Sequence, residues 1–187
     1  MEDNTEKKSL RNLLLEKRDN TSYDLMKIAS AKIQKKLKKI YAYKNATKVG
    51  IYYPIGSEIL TQDIIQELIS DGKEVFLPKV VGKNLEFRKI TSFSSLEKGN
   101  FDIMEPKDDC PTDNNLDVVI VPTIGITPDG IRLGYGHGFY DRFLAENKTT
   151  TISITLDKQI VKRIPKDDHD VLIDWIVTED RMIQTQR

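Results

Sequence analysis

KVGIYYPIGSEILTQDIIQELISDGKEVFL, residues Lys48–Leu77, decides how the chain folds. Lys48–Tyr53 is a short apolar run stopped by Pro54, which predicts a buried strand. A loop, IGSEIL, leads to Thr61, placed to cap a helix over Gln62–Ser70 that Gly72 ends. Asp63 falls in the first turn, where the helix dipole favours an anion. Glu74–Leu77 then reads as a second strand, stopped by Pro78. Strand, helix and strand in that order predict a parallel pair joined by a right-handed crossover.

The pattern extends in both directions. Asp117–Val121 (DVVIV) is apolar through four residues, as a central parallel strand would be. Thr151–Thr155 and Trp175–Thr178 read as further strands and Leu85–Ile90 as an edge strand. Residues 91–116 are polar, contain Pro106 and Pro111, and read as a long loop with little regular structure. Upstream lie two helical patterns. Lys7–Arg18 sets Leu10, Leu13 and Leu14 on one side. Ser22–Ile40, with Ser22 as N-cap, turns Leu25, Ile28, Ala29, Ile33, Leu37 and Ile40 inward and its lysines outward. The expected fold is therefore α/β: a single three-layer domain over residues 1–187, with a mostly parallel central sheet flanked by helices and an N-terminal helical pair.

Composition narrows the class. The 187 residues are 39% hydrophobic and 31% charged, as in a soluble globular protein. Nothing approaches the length of apolar run that spans a membrane, and the N-terminus lacks the apolar core of a secretory signal. The one cysteine, Cys110, rules out an internal disulfide and suits a reducing cytosol, so a cytoplasmic protein is expected. The net charge is zero, yet residues 1–48 carry an excess of basic side chains that the remainder balances. Such an excess suits a polyanion, whether nucleic acid, a nucleotide or an acidic partner, or else a solvated helical face.

The chemistry concentrates in Thr127–Leu144, TPDGIRLGYGHGFYDRFL, with Gly130, Gly134, Gly136 and Gly138 beside Arg132, Asp141 and Arg142. Closely spaced glycines let backbone N–H groups approach an anion, and the following helix N-terminus adds its dipole. Arginine forks suit phosphate oxygens, and a carboxylate can hold Mg²⁺ against them. A polyphosphate site is the physical reading. The segment is neither a Walker A loop, which needs G-x-x-x-x-G-K-[ST], nor a dinucleotide fingerprint, since Phe139 stands at the third glycine.

R-L-G-Y-G-x-G-F-Y-D-R-F-L closely resembles the motif of the 5-formyltetrahydrofolate cyclo-ligase family. Lys7-Lys8-Ser9-Leu10-Arg11, Tyr53 through Thr61, Leu77-Pro78-Lys79, Glu105-Pro106 and His169-Asp170 fall in the family's order and spacing. The resemblance implies an ATP- and Mg²⁺-dependent closure of 5-formyltetrahydrofolate to 5,10-methenyltetrahydrofolate. In that reaction the formyl oxygen takes the γ-phosphate, N10 attacks the activated carbon, and phosphate leaves. It also implies roles for residues. Lys7, Arg11, Arg132, Gly134, Gly136, Gly138 and Tyr140 would bind ATP, with Arg132 and Tyr140 acting on the reacting groups. Tyr53, Glu58, Tyr135, His137 and Phe139 would line the folate site, and Asp141 and Asp170 would hold the metal. The implied partners are a small-molecule folate and MgATP, with no nucleic acid or membrane, and a monomer is expected. His137 stands where the family more usually has Gly or Lys, Phe139 where Tyr is common, and VPTIGITPDG (Val121–Gly130) replaces the commoner run before the motif.

Two other classes fit parts of the sequence. A protein of the same fold could keep the nucleotide site and act on another pterin or in an accessory role. A nucleic-acid-binding module would use the basic N-terminal helices, against which stand a pI near 6.8 and the lack of interleaved aromatics.

Overall fold

The computed structural model describes the backbone of residues 2–99 and 103–186. Its elements run α1 (Glu2–Asp19), α2 (Tyr23–Leu37), α3 (Tyr41–Asn45), β1 (Lys48–Ile51), α4 (Gln62–Ser70), β2 (Glu74–Val81), β3 (Asn84–Ile90), β4 (Leu96–Lys98), β5 (Met104–Pro106), β6 (Val118–Pro122), β7 (Gly125–Ile126), β8 (Arg132–Leu133), α5 (Phe139–Glu146), β9 (Thr150–Ile154), β10 (Trp175–Val177) and β11 (Met182–Gln184). Seven strands make the central sheet in the order β11-β10-β9-β6-β1-β2-β3. The five central strands pair in parallel, and only the edge strands β3 and β11 run antiparallel.

Alternation along each strand sorts the core into two layers. Val49, Ile51, Val75, Leu77, Val118, Ile120, Ile152 and Ile154 face a cluster completed by α2, α3 and α4, including Ile33, Leu37, Tyr43, Ile64 and Leu68. Phe76, Val119, Val121 and Ile176 face the opposite layer, where α5 contributes Phe143 and Leu144. Gly50 lies on that second face, where a methyl carbon would come within 2.8 Å of Leu116 and 2.9 Å of Phe87. The strand needs a hydrogen there because two large side chains already fill the space. The three-layer, mostly parallel architecture is the expected one.

Several local details differ from the sequence reading. β2 runs through Pro78 instead of stopping at it. β1 pairs only with residues 74–76 of β2, so Pro78 lies past its end and costs that ladder no hydrogen bond. The segment after β3 carries the small β4–β5 hairpin, which Lys79 ties to β2 through Glu105, Asp108 and the Pro106 carbonyl. Ser22 does cap α2, accepting from the Leu25 N–H. Thr61 does not cap α4; its hydroxyl donates to the Tyr52 carbonyl at 2.7 Å and braces the loop after β1. On α2 the buried stripe is Met26, Ala29, Ser30, Ile33 and Leu37, while Leu25 and Ile28 are exposed. The helix is thus rotated by about one position from the expected face. Ser30 fits the core because its hydroxyl donates to the Met26 carbonyl and accepts from the Leu60 N–H. Among the basic residues of this region, Lys36 donates to the Thr178 carbonyl and Lys38 pairs with Glu67. Among the described residues no helix is long and apolar enough to cross a membrane.

Candidate active site

The chain builds outward from β1 in two directions: first to β2 and β3, then back across to β6, β9 and β10. The order reverses between the adjacent parallel strands β1 and β6. Loops leaving the carboxyl ends of such a pair diverge to opposite faces and leave a crevice, the usual ligand site of open α/β sheets. Here the β1 loop carries Glu58. The β6 loop turns through the β7–β8 hairpin and delivers Arg132 and the glycine-rich segment. Helix α1 packs over this end, with Leu14 buried among Ile124, Leu133 and Ile164.

Glu58 and Tyr135 meet across the crevice. Glu58 is only 3% exposed. Its Oε1 accepts the Tyr135 hydroxyl at 2.8 Å and its Oε2 the Ile55 N–H at 2.8 Å. Burial raises the Glu58 pKa, against the pull of those two donors and of the Arg18 charge. The Tyr135 hydroxyl is pushed up to about 12, by burial first and then by the Glu58 charge, with Arg18 opposing. Tyr140 is raised for the same leading reasons, and its ring lies 5.6 Å from the Arg132 guanidinium carbon. Tyr53 is half-buried at the mouth of the same loop, edge-on to Phe93.

Arg132 is buried under the glycine segment. Its Nη1 donates to the Pro122 carbonyl at 3.0 Å and its Nη2 to Asp141 at 3.2 Å. Its Nε is buried without a partner among the described residues. An orphaned guanidinium nitrogen is costly in a finished core and expected where a further acceptor belongs. Gly134 passes so close that a methyl carbon would lie 2.6 Å from Arg132 Nη1. Gly136, at φ 97°, adopts a backbone that side chains disfavour. Arg11 reaches across from α1 and donates from Nε to the Gly134 carbonyl at 2.7 Å. Gly138 caps α5, whose first turn carries Asp141. The donor chemistry suits a nucleotide with a divalent cation: cations and backbone at a glycine turn for phosphate, carboxylates for the metal.

Lys7, one turn before Arg11, pairs with Asp170 at 2.8 Å and with Asp167 at 2.6 Å. Burial works against its charge, but the two carboxylates outweigh it and hold the pKa above the usual lysine value. Both carboxylates expected at a metal are therefore engaged by cations, Asp141 by Arg132 and Asp170 by Lys7. No group of three or more potential metal ligands gathers among the described residues. Mg²⁺ commonly needs only one or two carboxylates when phosphates complete its shell. His137 and Phe139 lie apart from Glu58. Their rings stack at 5.7 Å beside Arg142, lining with Gly82, Lys83 and Asn84 a cleft of about 500 Å³.

One site residue escaped the sequence reading. Arg18 is 4% exposed and donates to Ser57 Oγ and to the Tyr135 hydroxyl, each at 2.9 Å. A signal for it existed: Lys7, Arg11, Leu14 and Arg18 follow i, i+4, i+7, i+11 and so share one helix face. That stripe is the face α1 turns inward.

Residues 3–179 match the model of the 5-formyltetrahydrofolate cyclo-ligase family. A 5-formyltetrahydrofolate cyclo-ligase of Escherichia coli is 33% identical over 147 residues, 73% of this chain and 80% of that protein. Its mouse counterpart is 29% identical over 154 residues, 74% of this chain and 76% of that one. The NMR structure of Aquifex aeolicus 5,10-methenyltetrahydrofolate synthetase superposes with a TM-score of 0.87 at 32% identity, covering 97% of this chain and 93% of that one.

Proposed function

This chain belongs to the 5-formyltetrahydrofolate cyclo-ligase family, and from that premise we propose that its crevice binds folate on the Glu58 side and MgATP on the glycine-rich side. The protein is an enzyme that closes 5-formyltetrahydrofolate to 5,10-methenyltetrahydrofolate. The observation that carries the two-sided reading is the meeting of the β1 and β6 loops, made by the 2.8 Å bond between Tyr135 and Glu58.

Ring closure needs the formyl oxygen to leave, and a bare oxide is too poor a leaving group. ATP, as co-substrate, supplies the phosphoryl group that turns that oxygen into phosphate. The protein's task is then to position two substrates and neutralise charge. Glu58 accepts from the amino and ring N–H groups of the pterin, with Tyr53 and Tyr135 forming the walls, whereas His137 and Phe139 line the separate cleft beside Arg142. Lys7 and Arg11, on one face of α1, engage the phosphate chain together with Gly134, Gly136, Gly138 and the backbone leading into α5. Arg132, with Nε uncommitted, and Tyr140 face the transferring phosphoryl group. Asp141 and Asp170, now paired with Arg132 and Lys7, would be the carboxylates to hold Mg²⁺, which would supply charge screening for the phosphate oxygens. As the formyl oxygen takes up the γ-phosphoryl group, ADP departs; N10 then attacks the formyl carbon and gives up its proton, the carbon–oxygen bond breaks and phosphate leaves. One chain supplies every residue of this set, so a monomer suffices, and the free Cys110 thiol suits the cytoplasm.

Incubation with MgATP and 5-formyltetrahydrofolate tests the reading. Absorbance of the methenyl product in the near ultraviolet should rise, and the rise should stop when ATP is omitted or the metal chelated. Product formed equally well without ATP would overturn the nucleotide assignment; no product from folded, metal-replete protein would overturn the whole.

A further inference from the structure

The last turn of α1 places a buried cation behind the folate wall. A basic residue at a helix C-terminus ordinarily serves the dipole from solvent. Arg18 instead is 4% exposed and spans two loops with its planar fork, Nε to Ser57 Oγ and Nη2 to the Tyr135 hydroxyl. Ser57 in turn donates to Asp19, the next residue on the helix. Tyr135 is 41% exposed, with the Arg18 guanidinium carbon 6.0 Å from its ring centre, so packing alone does not fix it. It also sits in a turn of glycines, two of them with positive φ, where the backbone does little to hold it. What holds it is its hydroxyl. Arginine can only donate, so the hydroxyl must accept from Arg18 and its single proton must go to Glu58.

We propose that Arg18 is a positioning residue of the folate site, acting on substrate only through the Tyr135 hydroxyl and Glu58. The chain of bonds runs from a cation through a phenol to a carboxylate, each link 2.8–2.9 Å long. It fixes which Glu58 lone pairs the tyrosine takes, and so which remain for the pterin. Burial disfavours the carboxylate charge, and Arg18 is the cation that opposes this; the other ionisable groups around Glu58, Tyr52, Tyr135 and Tyr140, are phenols. The inference rests on the assignment of Glu58 to folate.

The test uses the full chain with Arg18→Met, Arg18→Lys, Tyr135→Phe and the Arg18→Met/Tyr135→Phe pair, with Glu58→Gln as reference. Arg18→Met should raise the folate KM by roughly tenfold or more while the ATP KM changes by less than about threefold, the scale of one lost charged hydrogen bond. Tyr135→Phe should do the same, and the double variant should be no worse than the worse single one, since both cut one chain. Arg18→Lys should recover part of the affinity, because an ammonium can reach one of the two partners but not both. Equal rises in both KM values, or additive losses in the double variant, would make Arg18 merely structural and overturn the proposal. Should Arg18→Met fail to fold, Tyr135→Phe decides: an unchanged folate KM there overturns it. If Glu58→Gln leaves the folate KM unchanged, the assignment of Glu58 itself has failed. If Glu58→Gln raises it and the other variants do not, only the role of Arg18 has.

Discussion

Adding one methyl group at Gly134 puts the packing around Arg132 to a direct test. The new carbon would lie 2.6 Å from Nη1 and 3.3 Å from Cζ, whereas ordinary contact begins near 3.4 Å, so the guanidinium must retreat by about 0.8 Å. Nη1 now holds the Pro122 carbonyl at 3.0 Å, and a retreat of that size breaks the bond. Nε is already without a partner, so a second nitrogen of a buried cation would be orphaned. One charged hydrogen bond lost and one charged donor stranded cost about 2–4 kcal/mol. For a domain of this size that lowers Tm by roughly 5–15 °C. Gly134 does not have positive φ, so backbone strain adds nothing and the collision acts alone. Thermal melting of Gly134→Ala measures the loss, and Arg132→Met identifies its source. In that background the collision partner is gone and Gly134→Ala should cost under about 0.5 kcal/mol. A full penalty in both backgrounds, or a Gly134→Ala protein that melts with the wild type, would refute the reasoning.

Glu58→Gln should trade binding for stability. Burial holds the Glu58 pKa above its ordinary value, so the favourable contribution of the protonated form is complete at low pH and is lost as pH rises through the folded-state pKa. The Gln variant should therefore melt with the wild type near pH 4 and at or above it at pH 7.5, while its folate KM rises. Melting well below the wild type at pH 7.5 would show that ionised Glu58 stabilises the fold. Asp141→Asn should weaken MgATP binding at least tenfold and metal-free ATP binding far less, as loss of a metal ligand requires. Titration calorimetry with and without the metal checks this, and equal losses would make Asp141 a support for Arg132 alone.

The sequence made some features of this protein legible and hid others, for physical reasons. The β-α-β run of residues 48–77 announced a parallel sheet because period, helix termination and Pro54 agreed. The two-residue strands β7 and β8 have no period to detect, yet their hairpin is what carries Arg132 to the crevice. Pro78 misled because whether it ends a strand depends on the neighbour its N–H would have faced, a property of β1 and not of β2. Leu25 and Ile28 misled because apolar residues adjoin the buried stripe of α2 on the helix surface, and Ser30 reaches the core by bonding its own helix. In the candidate site, the glycine-rich segment stood out by residue type, since an ordinary turn rarely needs four glycines beside two arginines. Their partners were silent. Nothing local ties Lys7 to Asp170, 163 residues away, or Arg18 to Tyr135, 117 away.

The zero net charge takes its meaning from those long-range pairs. A formal balance of 29 basic and 29 acidic residues predicts no particular contact. Most such charges are solvated and worth little in pairs. A charge buried on the inner face of α1 is different, because leaving it unpaired would cost several kcal/mol. Lys7 therefore has Asp167 and Asp170, Arg11 the Gly134 carbonyl, and Arg18 Ser57 and Tyr135. Every one of those partners lies on a loop at the carboxyl end of the sheet or after it. Burial demanded partners, and the partners pin to one helix the loops that border the crevice. The basic excess of the N-terminal segment is thereby divided. The lysines of α2 stay on the outer surface, Lys36 among them bonded to the Thr178 carbonyl, while the inward-facing cations of α1, Lys7, Arg11 and Arg18, hold the loops that border the crevice.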